Sequence, residues 1–150
     1  MSYERIKIIR EHYGKTQKEV GEMLGVKRQT YCGWENGYDS MPLIKLNDFC
    51  NYFNVSLDFV CGLTDTKNYN NIVNTTIDKH TIGNNLKDIR LKHNDTQKNV
   101  ALAIKIDQSN YSKYELGKIL IHTYNIIAFA KYYKTSIDFI CGKITNIEKK

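Results

Sequence analysis

Proline is nearly absent: Pro42 is the one proline in 150 residues, and there are nine glycines. That scarcity excludes a low-complexity proline- or glycine-rich polymer. No apolar run approaches the roughly 18–20 residues a membrane-spanning helix requires. The start, Met1-Ser2-Tyr3-Glu4-Arg5, lacks the apolar core of a secretory signal, so the sequence predicts a cytoplasmic protein. Cys32, Cys50, Cys61 and Cys141 show no Cys-x-x-Cys spacing and have no histidines at zinc-ligand intervals. They read as reduced packing residues, with Cys61 and Cys141 on apolar helix faces. There is no glycine-rich phosphate loop and no nucleophile elbow, and His12, His80, His93 and His122 are scattered. These absences argue against an enzyme and imply no cofactor and no metal.

What is present is a repeat. Residues 6–62 and 86–142 align without a gap at an offset of 80, with 17 of 57 positions identical. Thr16-Gln17-Lys18 returns as Thr96-Gln97-Lys98, and Ser56-x-Asp58-Phe59-x-Cys61-Gly62 as Ser136-x-Asp138-Phe139-x-Cys141-Gly142. Such a unit is too long for a solenoid and can bury a small core of its own. Two domains of one kind are expected, over 1–65 and 83–145, with a linker over the asparagine- and threonine-rich residues 66–82. The net charge of +6 is uneven. Residues 1–62 carry 8 basic against 8 acidic side chains, and residues 83–150 carry 12 against 6. A basic second half suggests an anionic partner such as nucleic acid, or else a lysine-rich solvated surface.

Helical spacing runs through each copy. Ile6, Ile9 and Tyr13 form a stripe that predicts a helix over about 4–13, ended by Gly14. Thr16-Gln17-Lys18-Glu19 has the form of a capping box, placing Thr16 at the start of a second helix that turns Val20, Met23 and Leu24 inward. After Gly25-Val26 a third helix runs from about Arg28 to Glu35 and buries Tyr31 and Trp34. Pro42 opens a fourth, with Leu43, Leu46, Phe49, Cys50 and Phe53 inward, and Ser56 caps a short fifth. The second copy repeats the scheme over about 84–93, 97–104, 108–115 and 123–133, with Ser136 capping the last helix. The fold class is all-α: two tandem five-helix domains.

A polar-capped short helix, a glycine turn and a second short helix with a polar outer face form the layout of a helix-turn-helix. Small residues, Gly21 and Ala101, stand where the two helices cross. Gly25 suits the left-handed turn, whereas Lys105 in its place should cost about 1 kcal/mol. On Thr16-Gln17-x-x-Val20, Gly25-Val26, Tyr31-x-x-Trp34-Glu35-Asn36-Gly37, Pro42, Leu46 and Val55-Ser56-x-Asp58, the sequence resembles the Cro/phage-repressor helix-turn-helix family. The second copy matches through Thr96-Gln97-x-x-Val100-Ala101, Tyr111-x-x-Tyr114-Glu115-x-Gly117 and Ser136-x-Asp138. The resemblance covers about three quarters of the chain.

That resemblance implies five-helix lambda-repressor-like domains and a DNA-binding transcriptional regulator of the repressor type. Gln17 and Gln97 would meet phosphates at the start of the second helix, with Lys18 and Lys98 beside them. The third helix would enter the major groove, presenting Lys27, Arg28, Gln29 and Thr30 in copy one and Gln108, Ser109, Asn110 and Lys113 in copy two. Arg28 suits guanine O6 and N7, and Gln29 suits adenine N6 and N7. Gly33 removes one reading side chain. Asp107 would repel phosphate, though it can accept from cytosine N4. Lys15 and Lys45 are further phosphate candidates. Arg10 with Glu35, and Arg90 with Glu115, resemble the family's structural ion pair. Tyr31, Trp34, Tyr111 and Tyr114 read as core.

Double-stranded DNA is thus the expected partner, with a homodimer left open and no membrane. The reading helices differ at each position, so a chain using both would recognise an asymmetric site. The other reading makes copy two a dimerising or antitoxin-like protein-docking module, which Asp107 and the apolar run Ile119-Leu120-Ile121 favour. An asparagine-, lysine-, isoleucine- and tyrosine-rich composition fits an AT-rich bacterial, phage or mobile-element genome.

Overall fold

Side-chain caps and left-handed stops divide the chain into short helices. The computed structural model describes residues 4–146, leaving residues 1–3 of the first expected domain outside. Within it the chain parts between Asn68 and Tyr69 into two compact units. The first contains α1 (Glu4–His12), α2 (Gln17–Met23), α3 (Arg28–Glu35), α4 (Leu43–Phe53) and α5 (Leu57–Val60). The second contains α6 (Lys79–Lys92), α7 (Gln97–Ile104), α8 (Gln108–Glu115), α9 (Thr123–Tyr133) and α10 (Ile137–Ile140). Among the described residues there is no strand; one antiparallel bridge joins Ile72 and Ile144 within the second unit. No helix of the described residues is long and apolar enough to cross a membrane.

The capping box at α2 is reciprocal. Thr16 Oγ1 accepts from the Glu19 backbone N–H at 3.1 Å, and Glu19 Oε2 accepts from the Thr16 N–H at 2.7 Å. At α7 Thr96 accepts from the Asn99 N–H, but its own N–H goes to Asp95 Oδ1 at 3.0 Å because residue 99 is no glutamate. The left-handed stops recur at the same offset: Gly14 and Asn94, Gly25 and Lys105, Asn54 and Lys134 all have positive φ. Each core is built from equivalent positions. Ile6, Val20, Tyr31, Met41, Leu46, Phe49 and Leu57 are buried in the first unit, and Leu86, Val100, Tyr111, Ile121, Ile126, Phe129 and Ile137 in the second.

Three expectations change. Tyr13 does not continue the α1 stripe. It stands past the helix end, 54% exposed, with its ring 5.2 Å from that of Phe53. Met23 is half-buried rather than inward. Helix α6 begins at Lys79, well before residue 84, because Asp78 Oδ1 accepts from the backbone N–H groups of both His80 and Thr81 at 2.9 Å. Most of the stretch expected as linker is also bonded to one unit or the other. The Ser56 N–H donates to Lys67 O at 2.7 Å, and Asn68 Nδ2 to Asn54 O at 3.1 Å. In the second unit Asn71 Nδ2 donates to Asn146 O at 3.1 Å, and the Val73 N–H to Lys143 O at 2.8 Å.

The candidate nucleic-acid interface

In each unit a buried ion pair fixes the third helix. Arg10 on α1 meets Glu35 on α3 two-pronged, Nε to Oε2 at 2.8 Å and Nη2 to Oε1 at 2.7 Å. Its Nη1 donates to Lys15 O at 2.7 Å, just ahead of α2. Arg90 treats Glu115 and Asp95 O in the same way, at 2.6, 3.0 and 2.9 Å. One guanidinium therefore sets the mutual placement of three helices, which a planar five-donor group can do and a lysine cannot.

Burial pushes the Glu35 carboxyl up. Hydrogen bonds from Arg10 and Gln17, the neighbouring Tyr31 hydroxyl and the charge of Arg10 outweigh that effect and hold it below the ordinary glutamate range. Glu115 is lowered against the same burial penalty, chiefly by Arg90 and Gln97. Burial, then the adjacent carboxylate, raises the Tyr31 and Tyr111 phenols, so both stay neutral. Among the described residues neither hydroxyl has a partner at full hydrogen-bond geometry.

Residues expected at phosphates divide into two sets. Gln17 turns its Nε2 inward to Glu35 Oε1 at 3.3 Å, and Gln97 does so to Glu115 Oε2 at 2.9 Å. One amide hydrogen of each is thus committed to the ion pair, and both glutamines are half-buried. Lys45 Nζ donates to Leu24 O at 2.8 Å and closes the C-terminus of α2, which commits one of its three donors. Lys18 and Lys98 are exposed. Asp95 stands where copy one has Lys15. Its Oδ2 accepts from the hydroxyls of Tyr133 at 2.9 Å and Tyr132 at 3.3 Å, a cluster not anticipated from the sequence.

The turn between α2 and α3 is tight. The Val26 N–H donates to Gly21 O at 2.8 Å, and a Cβ added to Gly21 would stand 3.1 Å from Val26 O. The second unit accepts that methyl as Ala101, which is buried. Lys105, at φ +60, occupies the place of Gly25.

With Tyr31, Trp34 and Glu35 drawn inward, α3 turns Lys27, Arg28, Gln29 and Thr30 to solvent. No side chain of these four forms a hydrogen bond or ion pair among the described residues. In the second unit Gln108, Ser109 and Asn110 are exposed at the places of Arg28, Gln29 and Thr30, Lys113 is exposed at that of Gly33, and Asp107, at that of Lys27, precedes them without capping α8. The structure adds two residues to the face of copy one. Arg28, Gln29, Cys32 and Gly33 line an open hollow of about 310 Å³ together with Tyr38 and Asp39 from the following loop. Both Tyr38 and Asp39 donate their N–H to Gly33 O, at 2.9 and 3.2 Å, and this folds the loop over the helix. No local sequence pattern signals that approach, because it depends on the path of the chain after Gly37.

The helix-turn-helix family model matches residues 6–60 and again residues 86–140. Among curated proteins, the "Uncharacterized HTH-type transcriptional regulator YobD" of Bacillus subtilis (strain 168) is 31% identical over 65 residues, covering 43% of this chain. The chain spans 58% of that relative's length. No solved structure matches. Two buried Arg–Glu pairs, two glycine- or lysine-turned helix pairs and a match over both copies place the chain in the helix-turn-helix family of the Cro/phage-repressor type, with the motif carried twice in tandem.

Proposed function

We propose that the protein is a sequence-specific double-stranded DNA-binding transcriptional regulator that acts as a repressor, reading the major groove with the third helix of one or both copies. The observation that carries this reading is the exposed first turn of α3. Lys27, Arg28, Gln29 and Thr30 are held outward on a helix locked by a buried ion pair, and among the described residues none spends its side chain on a hydrogen bond or ion pair. Base readout requires that combination of unspent donors on a rigid support. The relative named a transcriptional regulator is in keeping with it.

A second reading has its own observation. In copy two, Leu91, Leu102 and Leu116 are 51%, 68% and 61% exposed where copy one has Glu11, Glu22 and Asn36. Lys15 and Lys27 are replaced by Asp95 and Asp107. Those changes suit a copy that docks protein, as a dimerisation or antitoxin-like module, while copy one reads DNA.

The test is selection of a random duplex pool at about 150 mM salt, where non-specific binding is weak, followed by titration of the winner. Arg28→Ala is expected to lose about 5–150-fold in affinity for the selected site, the worth of one bidentate base contact. Lys18→Ala is expected to weaken all sequences alike and to reduce the salt slope by about 0.9. Equal loss on Arg28→Ala and on Gln108→Ala with Lys113→Ala assigns reading to both copies, and loss on the first alone assigns it to copy one. No enrichment from the pool overturns the regulator reading.

A further inference from the structure

Gly33 lies one turn beyond Gln29, on the same outer face of α3, and on a helix meant to read a groove it leaves a gap where a side chain belongs. The structure shows what fills the gap. A Cβ added to Gly33 would stand 3.0 Å from Asp39 Oδ2, so the Asp39 carboxylate occupies the space over the glycine. It lines the same hollow as Arg28 and Gln29, and Asp39 remains exposed. The second unit arranges the equivalent places in the opposite sense. Lys113 stands for Gly33 and Ile119 for Asp39, so there the helix carries the polar group and the loop position of Asp39 is apolar.

Resting on the DNA-reading function above, we propose that Asp39 is the missing reading residue of copy one. It is supplied by the loop instead of the helix, and it accepts a hydrogen bond from the exocyclic N4 amine of a cytosine in the major groove. A carboxylate with no donor of its own selects a base edge that offers a hydrogen, and cytosine N4 is the usual partner. It also discourages the O6 and N7 acceptors of guanine at that place. Lys113 at the equivalent place in copy two donates and therefore selects those guanine acceptors. The two copies thus carry opposite preferences at one equivalent position, through the exchange of Gly33 with Asp39 for Lys113 with Ile119.

The experiment is selection from the same random duplex pool with the full chain, its Asp39→Asn variant and its Gly33→Lys, Asp39→Ile double variant. Circular dichroism of each variant shows whether it is folded. The wild-type chain is expected to fix cytosine at one position of the copy-one half-site. Asp39→Asn is expected to lower discrimination at that position by about 5–150-fold, leaving the other positions as they were. The double variant is expected to move the preference there from cytosine to guanine. Removing a negative charge tightens binding to any duplex, so the base preference, not the affinity, is the readout. If the wild-type chain enriches a site and Asp39→Asn enriches the same site with the same preference at every position, the inference is overturned while the regulator reading stands. If the wild-type chain enriches nothing, both fall.

Discussion

At the scale of single residues, two positions hold stability that a substitution can measure. Lys105 keeps φ +60 and ψ +48 at the end of α7, where copy one has Gly25. A side chain in that region costs about 1 kcal/mol, and glycine's larger unfolded entropy returns part of that. Lys105→Gly is therefore expected to stabilise the second unit by about 0.5 kcal/mol, raising the urea midpoint without changing the slope. Glu35 matters more to stability than Lys105 does. Its carboxyl lies below the ordinary value of 4.5 in the folded chain. The stability it contributes is therefore complete above about pH 4.5 and is lost as the pH falls through the lower folded value. Both units are expected to weaken on acidification below that point, since Glu115 behaves alike. Glu35→Gln is expected to flatten the response of the first unit and to cost about 3–5 kcal/mol at pH 7, because Arg10 is left buried without its partner. Urea titrations at pH 7 and pH 4 check both statements. A variant as stable as the parent at pH 7 would mean that the pair does not hold α1 to α3.

At the scale of elements, α6 passes close against the end of α8. A Cβ on Gly83 would stand 2.5 Å from Tyr114 O and 2.7 Å from Glu115 O, both backbone atoms that cannot swing aside. Alanine gains about 1 kcal/mol over glycine in a helix interior, but overpacking of this kind costs about 1–3 kcal/mol. Gly83→Ala is thus expected to destabilise the second unit on balance, and a raised melting temperature would contradict the packing. Much of this architecture is legible in the sequence. Capping threonines, serines and the Tyr31–Trp34–Glu35 spacing bound α2, α3, α5 and their counterparts, because those signals act within one turn of the chain. The start of α6 was concealed because Asp78 lies among polar residues that read as a loop. Tyr13 satisfies the spacing of the α1 stripe but falls just beyond the stop that ends it. Asp39 was concealed for a different reason. Its place over Gly33 arises from a loop folding back on a helix, which no periodicity reports. The inward turn of Gln17 likewise follows from where Glu35 comes to rest.

At the scale of the whole molecule, the length of chain between the copies governs how a two-part site would be read. Residues 66–82 taken as a free coil would span about 20–25 Å. They would tolerate a range of half-site spacings, since effective concentration falls only slowly with reach. The structure assigns most of that length to the units: Asn68 is bonded to Asn54, and Asn71 to Asn146. Three peptide links separate Asn68 from Asn71, at most about 11 Å of extended chain. On the DNA-reading function proposed above, a connection of that length restricts spacing. The selected two-part site is expected to have one preferred spacing, and adding 5 base pairs, about half a helical turn, is expected to remove the gain from the second half-site. Inserting 12 glycine and serine residues between Asn70 and Asn71 is expected to restore tolerance to the added 5 base pairs while weakening binding at the preferred spacing. Equal affinity of the unmodified chain for both spacings would show that residues 71–78 leave the second unit on binding and act as tether after all.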